Sequence, residues 1–149
     1  MRKGVTDNPE VINDVLDKAE VLWLALVDDE GPHSVPVNFA YKNGIIYIHS
    51  GKKGRKADAF NAGSPVAFSA AIDMQMRLGG DTACDQGYYF RSVMGRGTPR
   101  LTEGDEKMLG LDAISFKHIG KQLPYVEKML PITIVYAIDI ETIKGRIKE

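Results

Sequence analysis

The sequence predicts a mainly β domain with flanking α: about six strands, mostly antiparallel, closing into a small barrel with helices as outriggers. Asn43-Gly44 sits between two β-like runs and is a strong hairpin signal. Ile132, Ile134, Tyr136, Ile138 and Ile140 alternate with other residues, as one buried face of a strand requires. Only two or three stretches carry helical spacing. The 149 residues favour one domain over residues 1–149. A chain of this length buries about 68–70% of its unfolded surface, so its core needs no disulfide or metal staple.

From the N-terminus, Asp7 or Asn8 caps a helix with Pro9 at its first position, where the missing N–H costs nothing. Val11, Ile12, Val15, Leu16 and Ala19 give it one apolar stripe. Val21 to Val27 reads as a buried strand, ended by a solvated turn at Asp28-Asp29-Glu30-Gly31. His33–Tyr41 and Ile45–Ser50 are the arms of the hairpin. A two-residue Asn43-Gly44 loop sets Lys42 against Ile45, Ala40 against Tyr47, Asn38 against His49 and Pro36 against Gly51. Val35, Val37, Phe39, Tyr41, Ile46 and Ile48 then share an apolar face. Pro36, Asn38, Ala40, Tyr47 and His49 share a mixed one.

Gly54 to Ala62 reads as a short helix ended by Gly63. Val66 to Ile72 is a strand with a face of small residues, Ala67, Ser69 and Ala71. Asp73 to Gly87 shows no periodicity and reads as a long loop. Tyr88 to Leu101 is a strand with Gly95 and Gly97 as bend or bulge points. Asp105 to His118 is a helix with Met108, Leu111, Ile114 and Ser115 on one side, and the alternating isoleucines form the last strand.

Composition narrows the function. Apolar residues at 44% and charged residues at 26% are ordinary globular values. The 19 basic and 20 acidic side chains give a net charge of -1, which argues against duplex nucleic acid as a partner and leaves room for a small anion. The single cysteine, Cys84, allows no internal disulfide and fits a reducing cytoplasm. The longest apolar run falls short of the ~20 residues that span a bilayer, and no signal segment follows Met1-Arg2-Lys3, so no membrane is expected.

One segment breaks a local rule. Lys52, Lys53, Arg55 and Lys56 crowd the start of the short helix, where the helix dipole disfavours cations and the four repel one another. A bound phosphate removes both conflicts, and Gly51 and Gly54 let backbone N–H groups approach it. The alternative is a solvated basic turn. His49 and Ser50 run straight into this loop, so the face carrying Asn38 and His49 lies beside the expected phosphate. That arrangement suits a ligand with a phosphate at one end and a planar polar ring at the other. Asn38 offers a donor and an acceptor to such a ring. His33, His49 and His118 lack any cysteine or carboxylate at metal-ligand spacing, so no metal site is expected. Cys84 has no assignable histidine partner and reads as a loop thiol.

These residues resemble a known family. Val35-Pro36-Val37-Asn38-Phe39-Ala40-Tyr41, Ile46-Tyr47-Ile48-His49-Ser50 and Gly54-Arg55-Lys56-Ala57-Asp58-Ala59 are similar to blocks of the pyridoxamine 5′-phosphate oxidase-like flavoproteins, and most similar to the 5-nitroimidazole-resistance branch. Ala83-Cys84-Asp85-Gln86-Gly87 with Phe90-Arg91-Ser92-Val93 resembles a further block of that branch. Arg55 stands where that branch more often carries histidine. The resemblance implies a six-stranded antiparallel split β-barrel, an FMN-binding fold with peripheral helices, that forms a homodimer with FMN at the interface. It implies that Ser50, Gly51, Lys52, Arg55 and Lys56, with His49, hold the flavin phosphate, and that the ring lies against Val35, Pro36, Val37 and Asn38. It also implies a role for His49 near the substrate, where a proton donor with a near-neutral pKa is useful. The expected function is FMN-dependent electron transfer from NAD(P)H to a small planar acceptor such as a nitroaromatic. Two readings compete with it: a non-catalytic flavin, deazaflavin or haem carrier, and a structural homodimer with a vacant site.

Overall fold

The computed structural model describes residues 2–149. Among them are eight strands and three helices. In chain order these are β1 (Val5–Thr6), α1 (Pro9–Lys18), β2 (Leu22–Asp28), β3 (Gly31–Val37), β4 (Ala40–Lys42), β5 (Ile45–Ser50), α2 (Arg55–Asn61), β6 (Val66–Arg77), β7 (Gly87–Leu101), α3 (Gly104–Ile119) and β8 (Ile134–Lys148). The strands form one antiparallel sheet in the order β3-β2-β6-β7-β8-β5-β4, with β1 added on β8.

The sheet curls but does not close. Its two ends, β3 and β4, are consecutive in the chain and are joined by Asn38-Phe39 alone. A single predicted arm, His33–Tyr41, is therefore two strands on opposite edges of the sheet, which is what splits the barrel. The Asn43-Gly44 turn is correct, with positive φ of 51° and 81°, and Lys42–Ile45 and Ala40–Tyr47 pair as expected. The register does not continue. Pro36 faces Trp23 on β2, and Asn38 Nδ2 donates to Glu20 O at 2.9 Å, so Asn38 and His49 are not opposed. Phe39 turns fully into the core and breaks the strand there.

Helix α1 follows its sequence signals. Asn8 Oδ1 accepts from Glu10 N at 3.0 Å, and Val11, Ile12, Val15, Leu16 and Ala19 are buried. Of these, Ile12, Val15, Leu16 and Ala19 pack with Leu22, Leu24, Phe39, Ile46, Ile48, Phe60 and Ile138 in the main core inside the barrel. The face of β5 expected to meet a ligand instead builds a second, smaller core. There Ala40, Tyr47, Val135 and Ala137 are covered by α3 through Ile114. Contact is so close that a Cβ on Gly110 of α3 would lie 2.8 Å from Val135 Cγ1 and 2.9 Å from Tyr47 Cδ1.

Three other expectations change. Strand β2 is not buried throughout: it alternates, leaving Trp23 and Val27 exposed on the outer face. The start of the expected 73–87 loop is strand, because β6 continues to Arg77 after an irregularity at Asp73, where φ is positive; residues 78–86 remain outside any strand. Residue 97 does mark the irregular step between β7 and β8. The last strand starts at Ile134, after a 3₁₀ turn that holds Ile132, and runs to Lys148.

Candidate functional site

The free edge of β3 and the far end of β5 form the two lips of the split. On β3, Val35 and Val37 point inward and pack against the main core, while Pro36 points out. Proline has no N–H to give a ladder, yet the β2–β3 pairing is unbroken over seven residue pairs. The nitrogens of Pro32 and Pro36 must therefore face the open edge, which is left poor in donors and so protected from pairing with another strand. On the other lip, β4 stops at Ala40, so His49 and Ser50 pair only with Val135 and Ile134 of β8.

Beyond Ser50 the chain enters the cationic loop. Gly51 and Gly54 have open space where a side chain would stand, and Gly54 takes a φ of 124° to turn into α2. Helix α2 itself is fixed from below by Ala57, Ala59 and Phe60, which are buried. The four cations then separate into two kinds. Arg55 is fully engaged. Its Nε and Nη2 grip the Asp28 carboxylate, the latter at 2.6 Å; Nη2 also donates to Gly31 O at 3.0 Å, and Nη1 lies 3.4 Å from His33 Nδ1. These hydrogen bonds hold the Asp28 carboxyl below its usual range. In the turn between β2 and β3, Asp28 thus anchors α2, while Asp29 and Glu30 stay exposed as a solvated turn requires.

Lys52, Lys53 and Lys56 are the other kind. None forms an ion pair among the described residues. Lys52 and Lys53 are exposed, and Lys56 is half-buried, with its ammonium pKa lowered by the loss of water around it. A half-buried cation without a carboxylate is costly, and an anion beside it would relieve the cost. His49 shares the neighbourhood. Partial burial lowers its pKa first, and the positive field of Lys56 and then His118 adds to that, so the neutral imidazole is favoured near pH 7. Ser50 Oγ donates only to the adjacent Gly51 O, at 3.1 Å.

The structure therefore brings His49, Ser50, Gly51, Lys52 and Lys56 together on one lip and sets Val35, Pro36, Val37 and Asn38 on the other. It withdraws Arg55 from the set of free cations. The amide donor of Asn38 is taken by Glu20 O, which leaves its oxygen available. The residue that sequence reading missed is Asp28. The signal was present as one acidic and one basic loop of similar size, but only the β2–β3 hairpin shows that they meet. No group of three His, Cys, Asp or Glu side chains is placed to hold a metal among the described residues, and no helix is long and apolar enough to cross a membrane.

Residues 8–147 match the family described as pyridoxamine 5′-phosphate oxidase. Among solved structures, a candidate 5-nitroimidazole antibiotic resistance protein from Bacteroides thetaiotaomicron superposes with a TM-score of 0.83 at 24% identity, covering 95% of this chain and 84% of that one. An FAD- and haem-binding protein from Mycobacterium smegmatis gives 0.88 at 22%, covering 99% and 74%. The flavocytochrome Anf3 from Azotobacter vinelandii gives 0.83 at 17%, covering 98% and 70%. At these identities the likeness is one of fold. None of the curated proteins matches the chain.

Proposed function

Because the chain belongs to the pyridoxamine 5′-phosphate oxidase family, we propose that it is an FMN-dependent oxidoreductase whose flavin lies along the split between β3 and β5. FMN, when bound, supplies two-electron redox chemistry between a reduced nicotinamide and a small planar acceptor such as a nitroaromatic. The observation that carries the reading is the half-buried Lys56 without a counter-ion, beside exposed Lys52 and the open backbone at Gly51. That set fits a phosphate monoester: two or three cations, a hydroxyl at Ser50, and room for close approach.

Each residue then has a defined task. Lys52, Lys56 and Ser50 bind the phosphate. Arg55 positions them, because its grip on Asp28 fixes the first turn of α2. Pro36 and the β3 backbone present a flat, donor-poor edge to the ring, and the Asn38 oxygen accepts one N–H. Its surroundings favour the neutral form of His49; a phosphate nearby would raise its pKa and so increase the fraction that carries a proton to donate near pH 7.

A homodimer completes the proposal. The outer sheet face sets exposed Trp23 and Met94 among the small residues Ala25, Ala67 and Ser69, a patch suited to self-association. The cytoplasm suits the exposed thiol of Cys84. A second reading is favoured by the flavin- and haem-binding neighbours: a carrier that binds a flavin, deazaflavin or haem without turnover. One experiment separates them. The absorbance spectrum of the purified protein, with mass spectrometry of the released ligand, should show FMN, and NADH or NADPH should bleach it. A Soret band, or tight flavin that neither nicotinamide reduces, supports the carrier; protein that stays colourless after FMN addition refutes both flavin readings.

A further inference from the structure

Before Phe90, β7 pairs only with β6, over Gly87 to Tyr89, and the two project as an arm beyond the rest of the sheet, which leaves Met74, Met76 and Leu78 exposed. We propose that the face of this arm carrying Gly87 and Tyr89 binds a nucleoside phosphate with an amino-bearing base, at a site separate from the flavin lips. The phosphate end is marked by Gly87. A Cβ there would lie 3.2 Å from Arg77 Nη2, 3.5 Å from Lys148 Nζ and 3.7 Å from Arg77 Nε. Two cations thus converge over bare backbone, within about 7 Å of each other, where like charges repel. Neither forms an ion pair among the described residues, in contrast to Arg91 close by, which holds Asp14 at 2.7 Å. An anion seated over Gly87 would bridge the two.

The base end is the adjoining cavity of about 430 Å³, a volume in the range of small-ligand pockets. Strand alternation puts Tyr89 on the same face as Gly87, and Gln75 on the same face as Arg77, so the cavity and the cation pair form one surface. Tyr89 offers a ring for stacking. Phe90, the next residue, also lines the cavity and is capped by Arg146, whose guanidinium carbon is 5.4 Å from the ring centre. Asp73 and Glu149 also line the cavity. They would repel a plain phosphate, but they accept hydrogen bonds from the N–H groups of an amino-substituted base. Lys148 lines the cavity as well as overhanging Gly87, so cations, an aromatic ring and carboxylates meet at one site, a set that describes an amino-bearing nucleotide better than any simple anion.

The test is calorimetric titration of AMP into the full chain, with and without added FMN, beside adenosine and inorganic phosphate as probes. AMP should bind at least tenfold more tightly than either probe. The Arg77→Ala/Lys148→Ala variant should lose at least tenfold in AMP affinity with an unchanged circular dichroism spectrum. Lys52→Ala/Lys56→Ala should bind AMP as the parent does. The proposal is overturned if AMP fails to bind at millimolar concentration, or binds no better than phosphate. It is overturned equally if the loss appears in the Lys52/Lys56 variant and not in the Arg77/Lys148 variant.

Discussion

At the α3 end of the barrel, all three guanidinium nitrogens of Arg100 meet carboxylates. Nη1 and Nη2 reach Glu106 at 2.9 and 2.7 Å, Nε reaches Asp139 at 2.7 Å, and Tyr47 OH adds a bond to Glu106 at 3.2 Å. At the α2 end, Lys52, Lys53 and Lys56 meet none among the described residues. Both regions join a helix to the same sheet, and both are rich in charge. The first is electrically complete; in the second, three ammonium groups have no carboxylate partner among the described residues. Arg55 shows that the difference is not one of location, since it lies inside the second region and behaves like Arg100. The partnered cations build the fold, and the function proposed above gives Lys52 and Lys56 to the ligand.

The sharpest way to break this division is to remove the unpartnered cations. Lys52→Ala/Lys56→Ala should weaken FMN binding about 100-fold, from about 1.4 kcal/mol for each lost charge-assisted contact. The flavin-free protein should lose no stability. Loss of the Lys56 charge should raise its melting temperature slightly, because a half-buried, uncompensated ammonium is removed. A thermal melt alongside a fluorescence titration reads both. Unchanged FMN affinity, or a large drop in stability, would place these lysines with Arg100.

Arg100→Met should do the reverse. It leaves Glu106 and Asp139 facing each other and Tyr47 beside them, so chemical denaturation should show a loss of about 1–2 kcal/mol. The low end applies if screening dominates, since 39% of the Arg100 side chain is exposed. FMN affinity should stay within twofold.

Arg55 should show a mixed phenotype. Asp28→Asn and Arg55→Lys should each lower FMN affinity several-fold through a loosened α2, and the double variant should be no worse than the worse single one. Additive losses would mean that Arg55 touches the phosphate directly.

The same contrast explains what was legible in the sequence. Local chemistry read true. The Asn8 cap, the stripe on α1 and the Asn43-Gly44 turn depend on residues within a few positions of one another. The cationic loop was equally visible because its members are contiguous. What failed was extrapolation across a break. The opposition of Asn38 and His49 assumed that one strand continued through Phe39, and nothing nearby reveals that Asn38 bonds to Glu20 or that Phe39 turns into the core. In β6, the irregularity at Asp73 resets the alternation, so a strand looked like a loop. The Asp28–Arg55 strap spans 27 residues and the Arg100–Asp139 pair 39, and no spacing rule connects such pairs.

The smallest effect tests whether the division extends to the seam joining β3 and β4. Lys117 is half-buried and has no carboxylate partner among the described residues, yet it is not ligand-ready. Its Nζ lies 3.5 Å from the centre of the Phe39 ring and donates to Leu16 O, in the last turn of α1, at 2.8 Å. Burial is the main reason its pKa falls to about 8 from an ordinary 10.5, and Asp17 and Glu20 oppose that only in part. Between those values the unfolded chain holds the proton more firmly than the folded one, so stability should rise as pH increases from about 8 toward 9.5. Lys56 contributes with the same sign, so the diagnostic is the difference from Lys117→Met, whose stability should depend less steeply on pH over that range. Equal slopes in the two proteins would mean that Lys117 titrates as a surface lysine, and that the seam is held by Phe39 packing and by His118 on Phe39 O at 3.0 Å, without help from the charge.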